Sequence, residues 1–197
     1  STGWKCCLVK QTQEKERTMN DYGELLDENT VRFERLLPGP IERVWSYLTE
    51  GEKRAAWLCG GNVETRKDGH VDMHFHNVSL SRASEGDIPR PEKYRDRPET
   101  MSFTGTVTRC EPMHLLEHTW EFDDEHSLVR YELTEKGDKV RLVLTHSRLE
   151  TRGTVLSVSG GWHTHLNVLQ DVLEGERRRP FYKMQTQYEA EYGERLG

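Results

Sequence analysis

A chain of 197 residues with 34% hydrophobic and 31% charged side chains carries enough apolar material for one domain with tails and not for two. Its formal net charge of -6 gives a phosphate backbone no broad attraction, which excludes nucleic acid as a primary partner. No run approaches the roughly 20 apolar residues of a membrane-spanning helix and no signal-peptide pattern opens the chain, so the expected location is the cytoplasm.

Residues 1–18 show no clear period and precede Met19, so they are expected to be an extension outside the fold. From Val31, "VRFERLL" alternates apolar and polar residues as a half-buried strand does, and Pro38-Gly39-Pro40 stops it. In "PIERVWSYL", Ile41, Val44, Trp45 and Leu48 share one helical face. Thr49 and Glu52 have capping-box spacing, which predicts a second helix running through Leu58 to Gly60-Gly61. Period two then takes over. "HVDMHFHN", "MSFTGTVTRCEP", "HLLEHTWEF", "SLVRYELTEKG" and "DKVRLVLTHSRL" read as consecutive antiparallel strands, interrupted at 77–100 by a polar, proline-bearing loop. Residues 154–174 form the longest helix, with Val155, Val158, Trp162, Leu166, Leu169 and Leu173 in one stripe and Asn167, Asp171 and Glu174 opposite. Pro180 opens a last helix whose apolar side holds Phe181, Met184, Tyr188 and Tyr192.

The order strand, helix pair, strand meander, long helix predicts an α+β helix-grip fold, in which a curved antiparallel sheet wraps a long C-terminal helix. The segments "RFERLLPGPIERVWSYLTEGEKRAAWLCGG", "FTGTVTRCEPMHLLEHTWE", "LVLTHSRL" and "GGWHTHLNVLQDVLEGE" together resemble the activator of heat-shock-chaperone ATPase homologue-like family, within the START-like SRPBCC superfamily. The expected layout is a START-like domain over 19–179 and a helical tail over 180–197. The resemblance implies a central cavity for a small apolar or amphipathic molecule, with no cofactor. It also admits a cofactor-free cyclase, dehydratase or hydrolase, and an interaction module on a chaperone ATPase. The last ranks lowest, because nothing before Val31 matches the separate N-terminal domain of the chaperone activators.

His163 and His165 point about 200° apart on a helix, so they cannot chelate one metal together. The wheel puts Trp162 at the centre of the apolar stripe, His165 at its edge and His163 on the polar flank; His165 is either a boundary histidine or a ligand contact. Asp72, His74 and His76 share a strand face that the alternation of Val71, Met73 and Phe75 turns to solvent, so no metal is expected. His118 alternates with Leu116, Trp120 and Phe122, and His146 with Leu142 and Leu144, so both point inward. Either could act as a general base. The expected ligand contacts are Trp162, His146, His118, Trp120, Tyr131, His165 and Phe103. Gly160 and Gly161 are expected to leave room at the sheet beside Trp162. The four cysteines show no disulfide or CxxC pattern, and Cys110 is expected to be an inert thiol. Arg177-Arg178-Arg179 reads as a solvated turn.

Overall fold

The computed structural model describes residues 21–122 and 124–197. The extension expected over 1–18 therefore lies outside the described residues. Strands β1 (Glu24–Asp27), β2 (Thr30–Pro38), β3 (His70–Phe75), β4 (Met101–Glu111), β5 (Leu115–Phe122), β6 (Glu125–Lys136) and β7 (Lys139–Ser147) form one antiparallel sheet in the order β1-β2-β7-β6-β5-β4-β3. The helices are α1 (Ile41–Thr49), α2 (Gly51–Ala55), α3 (Asn77–Arg82), α4 (Arg152–Glu174) and α5 (Phe181–Leu196). Together they make the helix-grip fold.

Alternation along each strand sends every second side chain to the concave face, and register aligns these into rows. One row runs Val31, His146, Val129, His118, Val107 across β2, β7, β6, β5 and β4. All five are buried. The adjacent row carries Phe33, Leu144, Tyr131 and Leu116. Helix α4 lays Val155, Trp162, Leu166, Leu169 and Leu173 on this face. Thr151 caps its start by accepting from the Thr154 amide, and left-handed Gly175 ends it.

Several local expectations are corrected. Thr49 caps nothing: its hydroxyl donates back to the Trp45 carbonyl, and α2 starts after Glu50 without a side-chain cap and ends at Ala55, short of the helix expected through Leu58. The polar segment 77–100 is no bare loop. It holds α3 and a turn at Glu92–Tyr94, and its Asp87 carboxylate accepts from the Tyr182 and Lys183 amides at the start of α5. Tyr94 and Lys93 both bond Glu189 of α5.

The polar side of α4 is buried rather than solvated. His163, Asn167 and Asp171 are buried because α5 covers them. His163 stacks on Tyr188 with ring centroids 3.6 Å apart and shares a 2.9 Å hydrogen bond with the Tyr192 hydroxyl, while Asn167 Nδ2 donates to the Tyr188 hydroxyl at 3.1 Å. Arg179 is part of this assembly rather than a solvated turn, donating to both Asp171 oxygens and to the Asn167 carbonyl. Gly160 makes room for α5 and not for the sheet, since a Cβ there would stand 2.9 Å from the Glu189 side chain.

Candidate functional site

The concave face between α4 and strands β3 to β7 gathers an aromatic cluster. Trp162 reaches down from α4 onto Trp120, Tyr131 and His146, with ring centroids at 5.5, 6.2 and 6.1 Å. Trp120 continues outward to Phe103 at 5.2 Å and Phe75 at 5.6 Å, and Phe103 to Phe122 at 5.3 Å. His118 lies between Trp120 and Tyr131, and His165 edges onto Phe75 and Phe181. Trp162, Tyr131, His118, His146 and His165 are buried, whereas Phe103, Trp120 and Phe122 are half-buried. The cluster thus runs from the core to the surface.

Three histidines in it are held by hydrogen bonds that set their protonation. The Trp162 indole N–H can only donate, so His146 Nδ1 accepts from it at 2.9 Å. His146 Nε2 therefore carries the proton and donates to Ser127 Oγ at 2.7 Å, and that hydroxyl passes a 3.3 Å bond to the Trp120 carbonyl. Both nitrogens of His146 are spent. The ring links α4 to the sheet, with neither nitrogen free in this arrangement. His118 Nδ1 lies 2.8 Å from the Thr119 carbonyl and His165 Nδ1 lies 2.7 Å from the Trp57 carbonyl. A carbonyl only accepts, so each ring carries its proton on Nδ1 and keeps Nε2 as a lone pair. Neither Nε2, nor the Tyr131 hydroxyl, has a hydrogen-bond partner among the described residues.

Burial sets the electrostatics. Loss of hydration lowers the pKa of His118 to about 4, of His146 to about 3 and of His165 to about 4. The Thr119 and Trp57 carbonyls oppose the shift at His118 and His165, and the neighbouring His118 adds to it at His146. Burial also pushes the Tyr131 phenol up. All are neutral at pH 7. The positive group beside them is Arg54, itself buried, with Nη1 donating to the Gly61 and Asp72 carbonyls at 2.7 and 3.0 Å and Nη2 3.5 Å from Cys59 Sγ. Burial pushes the Cys59 thiol up to about 11 and raises that of Cys110, so neither is a ready nucleophile.

At the inner end of the cluster Trp162 packs on His146 and is hydrogen-bonded to it. Two surface clefts lie elsewhere. One, of about 630 Å³, is lined by Arg35, Leu36, Lys139 and Leu173 among others, and one of about 550 Å³ lies between Glu85-Gly86 and Arg177–Pro180. None of the residues expected to bind ligand lines either. His74 is exposed and shares a hydrogen bond with Ser102, and Asp72 meets His70. Among the described residues no group of three or more His, Cys, Asp or Glu is arranged to hold a metal ion.

The residues not anticipated are Ser127 and Gly105. Ser127 alternates inward with Val129 and Tyr131, which marks it as a buried hydroxyl needing a partner. Gly105 sits inward between Phe103 and Val107, and a Cβ there would stand 2.1 Å from the Thr119 carbonyl, the group that anchors His118. A glycine between two inward apolar residues was the available signal.

A seven-stranded antiparallel sheet gripping a long helix, with an aromatic interior, defines a START-like helix-grip protein. The family model for activator of Hsp90 ATPase homolog 1-like protein matches residues 38–174, more than half of the chain, and the protein belongs to that family. A Bordetella parapertussis protein solved in solution is 41% identical, with 89% of this chain and 90% of that one covered and a TM-score of 0.73. A conserved Enterococcus faecalis protein of unknown function is 20% identical over 92% and 93% of the two chains, with a TM-score of 0.66. DynU16, a putative protein in the dynemicin biosynthetic locus, is 20% identical over 77% of this chain and 50% of that one, with a TM-score of 0.58. No curated protein matches. Among the described residues no helix is long and apolar enough to cross a membrane.

Proposed function

We propose that this protein binds a small, uncharged amphipathic molecule between α4 and the sheet, admitted at the half-buried edge formed by Phe103, Trp120 and Phe122. The observation that carries this reading is the unbroken chain of ring contacts from that edge to buried Trp162. Aromatic side chains give large contact area, and a ligand entering there would replace ring–ring contacts with ring–ligand ones. The START-like membership supports the same reading, and the occurrence of a neighbour in a biosynthetic locus makes small natural products one class to include in a panel.

Binding is favoured over catalysis by the histidines themselves. His146 has no free nitrogen, and His118, with its pKa of about 4, is a weak base at neutral pH. A chaperone-docking role is disfavoured because the large exposed apolar side chains among the described residues, Leu26, Leu36 and Met101, are scattered over three strands and form no patch.

Native mass spectrometry of the purified full chain, followed by thermal-shift screening against planar aromatic, polyketide-like and fatty-acid panels, tests the proposal. A co-purified or stabilising ligand whose effect is lost in Trp120→Ala is the expected result. No bound mass and no stabiliser across all three panels would overturn it.

A further inference from the structure

We infer that the group this protein recognises at the inner end of its ligand is a neutral hydrogen-bond donor, a phenol, enol or alcohol, received by His118 Nε2. The inference rests on the proposed binding of a small molecule in the aromatic interior and goes further by naming the ligand's functional group.

Most of the polar groups in the interior have already spent their hydrogen-bonding capacity. His146 is consumed at both nitrogens by Trp162 and Ser127. The Trp162 N–H is consumed by His146. His118 and His165 have each committed their single proton to a backbone carbonyl, so what remains of each ring is an acceptor. Tyr131, whose ring stacks 6.0 Å from His118, can give or take. The one donor-only group in the cluster without a described partner is the Trp120 indole, and it stands on the half-buried rim. Deep in the cluster, unused capacity is therefore weighted to acceptors. A donor there would meet a lone pair that no described residue engages, whereas a ligand carbonyl would face the His118 lone pair with its own.

A carboxylate is worse placed still. The guanidinium of Arg54 is already held by two carbonyls and Cys59, and the histidines resist becoming cations to pair with an anion. The Thr119 carbonyl makes the His118 tautomer a property of the fold, because the space for that carbonyl depends on the missing Cβ of Gly105.

Three probes of one shape test this: 2-naphthol as donor, 2-methoxynaphthalene as its capped ether and 2-naphthoate as anion, titrated calorimetrically into the full chain at pH 7.5. The expected order is naphthol about 10-fold tighter than the ether and tighter again than the acid, the size of one buried hydrogen bond. In His118→Phe, naphthol should fall to the affinity of the ether while the ether changes less than about 2-fold. His118→Gln, which restores an acceptor, should recover part of the preference. Nitrogen NMR of the wild-type imidazoles gives a readout independent of any variant: His118 should show its proton on Nδ1, with the Nε2 resonance moving on addition of naphthol and not of the ether. Equal binding of naphthol and ether, or tightest binding by naphthoate, would overturn the donor assignment and leave the interior-binding reading standing. Binding of none of the three by a chain that does bind a panel ligand would overturn this inference alone, and failure of all ligands would remove both.

Discussion

Acid should unfold this protein at an unusually mild pH, because four histidines are buried in neutral form. Their folded pKa values are about 4 for His118 and His165, about 3 for His146 and about 2 for His163, each lowered first by burial; for His163, Arg35, Arg179 and Arg195 add to the effect. Unfolded imidazoles titrate near 6.5. Above pH 6.5 neither state binds these protons and stability is whole. Below it the unfolded state takes up protons that the folded state refuses, so stability falls until pH reaches the folded values. At pH 5 each group costs about 2 kcal/mol and the four together about 8, against a total of roughly 5–15 for a domain of ordinary stability. The acid midpoint should lie at about pH 5. Carboxylates act in a different window: Glu34, held at about 2 by its hydrogen bond to Arg141, contributes a loss that begins only below its ordinary 4.5. Urea midpoints followed by tryptophan fluorescence between pH 7.5 and 4.5 read the slope, and calorimetry in buffers of differing ionisation enthalpy reads the protons, of which about four should be taken up on unfolding at pH 5. A urea midpoint flat from pH 7 to 5, or uptake below one proton, would refute the burial argument.

Trp162→Ala should cost about 3–5 kcal/mol, since it empties a packed indole site and strands His146 Nδ1, and a loss under about 1 kcal/mol in urea would mean the inner end is open. Gly160→Ala should destabilise by about 1–2 kcal/mol through the Glu189 contact at 2.9 Å, while Gly161→Ala, with nothing within 4 Å, should stabilise by up to about 1 kcal/mol; equal melting shifts of one sign would contradict the helix packing. Arg35 is buried with Nε and Nη2 unpartnered, its Nη1 donating to the Asp21 and Glu34 carbonyls at 2.6 and 2.9 Å and standing 3.8 Å from the Asp21 carboxylate, so Arg35→Met, which removes a poorly paired buried cation at the loss of those two bonds, should fall within about 1 kcal/mol of wild type or exceed it, and a loss above about 3 kcal/mol would show an ion pair stronger than the geometry allows.

How much of this was legible follows from what periodicity measures. Alternation along a strand fixes which face a residue takes, and the long strands left no choice: His118 had to lie with Leu116 and Trp120, and His146 with Leu142 and Leu144. Their meeting in one row follows from register and needed no further information. The protonation of those same rings was not legible, because it depends on carbonyls that period and composition do not see. His165 is fixed by Trp57, far away in the chain, and His118 by the Thr119 carbonyl, which the missing Cβ of Gly105 leaves room for. Candidate bases could thus be named, but not which of them retained a lone pair.

The helical wheel erred on α4 for a related reason: it sorts residues by likeness and says nothing about what covers them. The last helix offers Phe181, Met184, Tyr188 and Tyr192 on one side, a stripe that is apolar by area yet ends in two hydroxyls. A purely apolar face opposite would bury those hydroxyls without partners, and a fully charged one would strip hydration from ions. The side of α4 holding His163 and Asn167 meets both demands, stacking an imidazole on the Tyr188 ring while an amide and a ring nitrogen take the two hydroxyls. Residues that look solvent-facing beside leucines are instead matched to tyrosines, and the clue was the tyrosines themselves, since an amphipathic stripe whose polarity sits at the tips of large rings calls for a hydrogen-bonding neighbour rather than water.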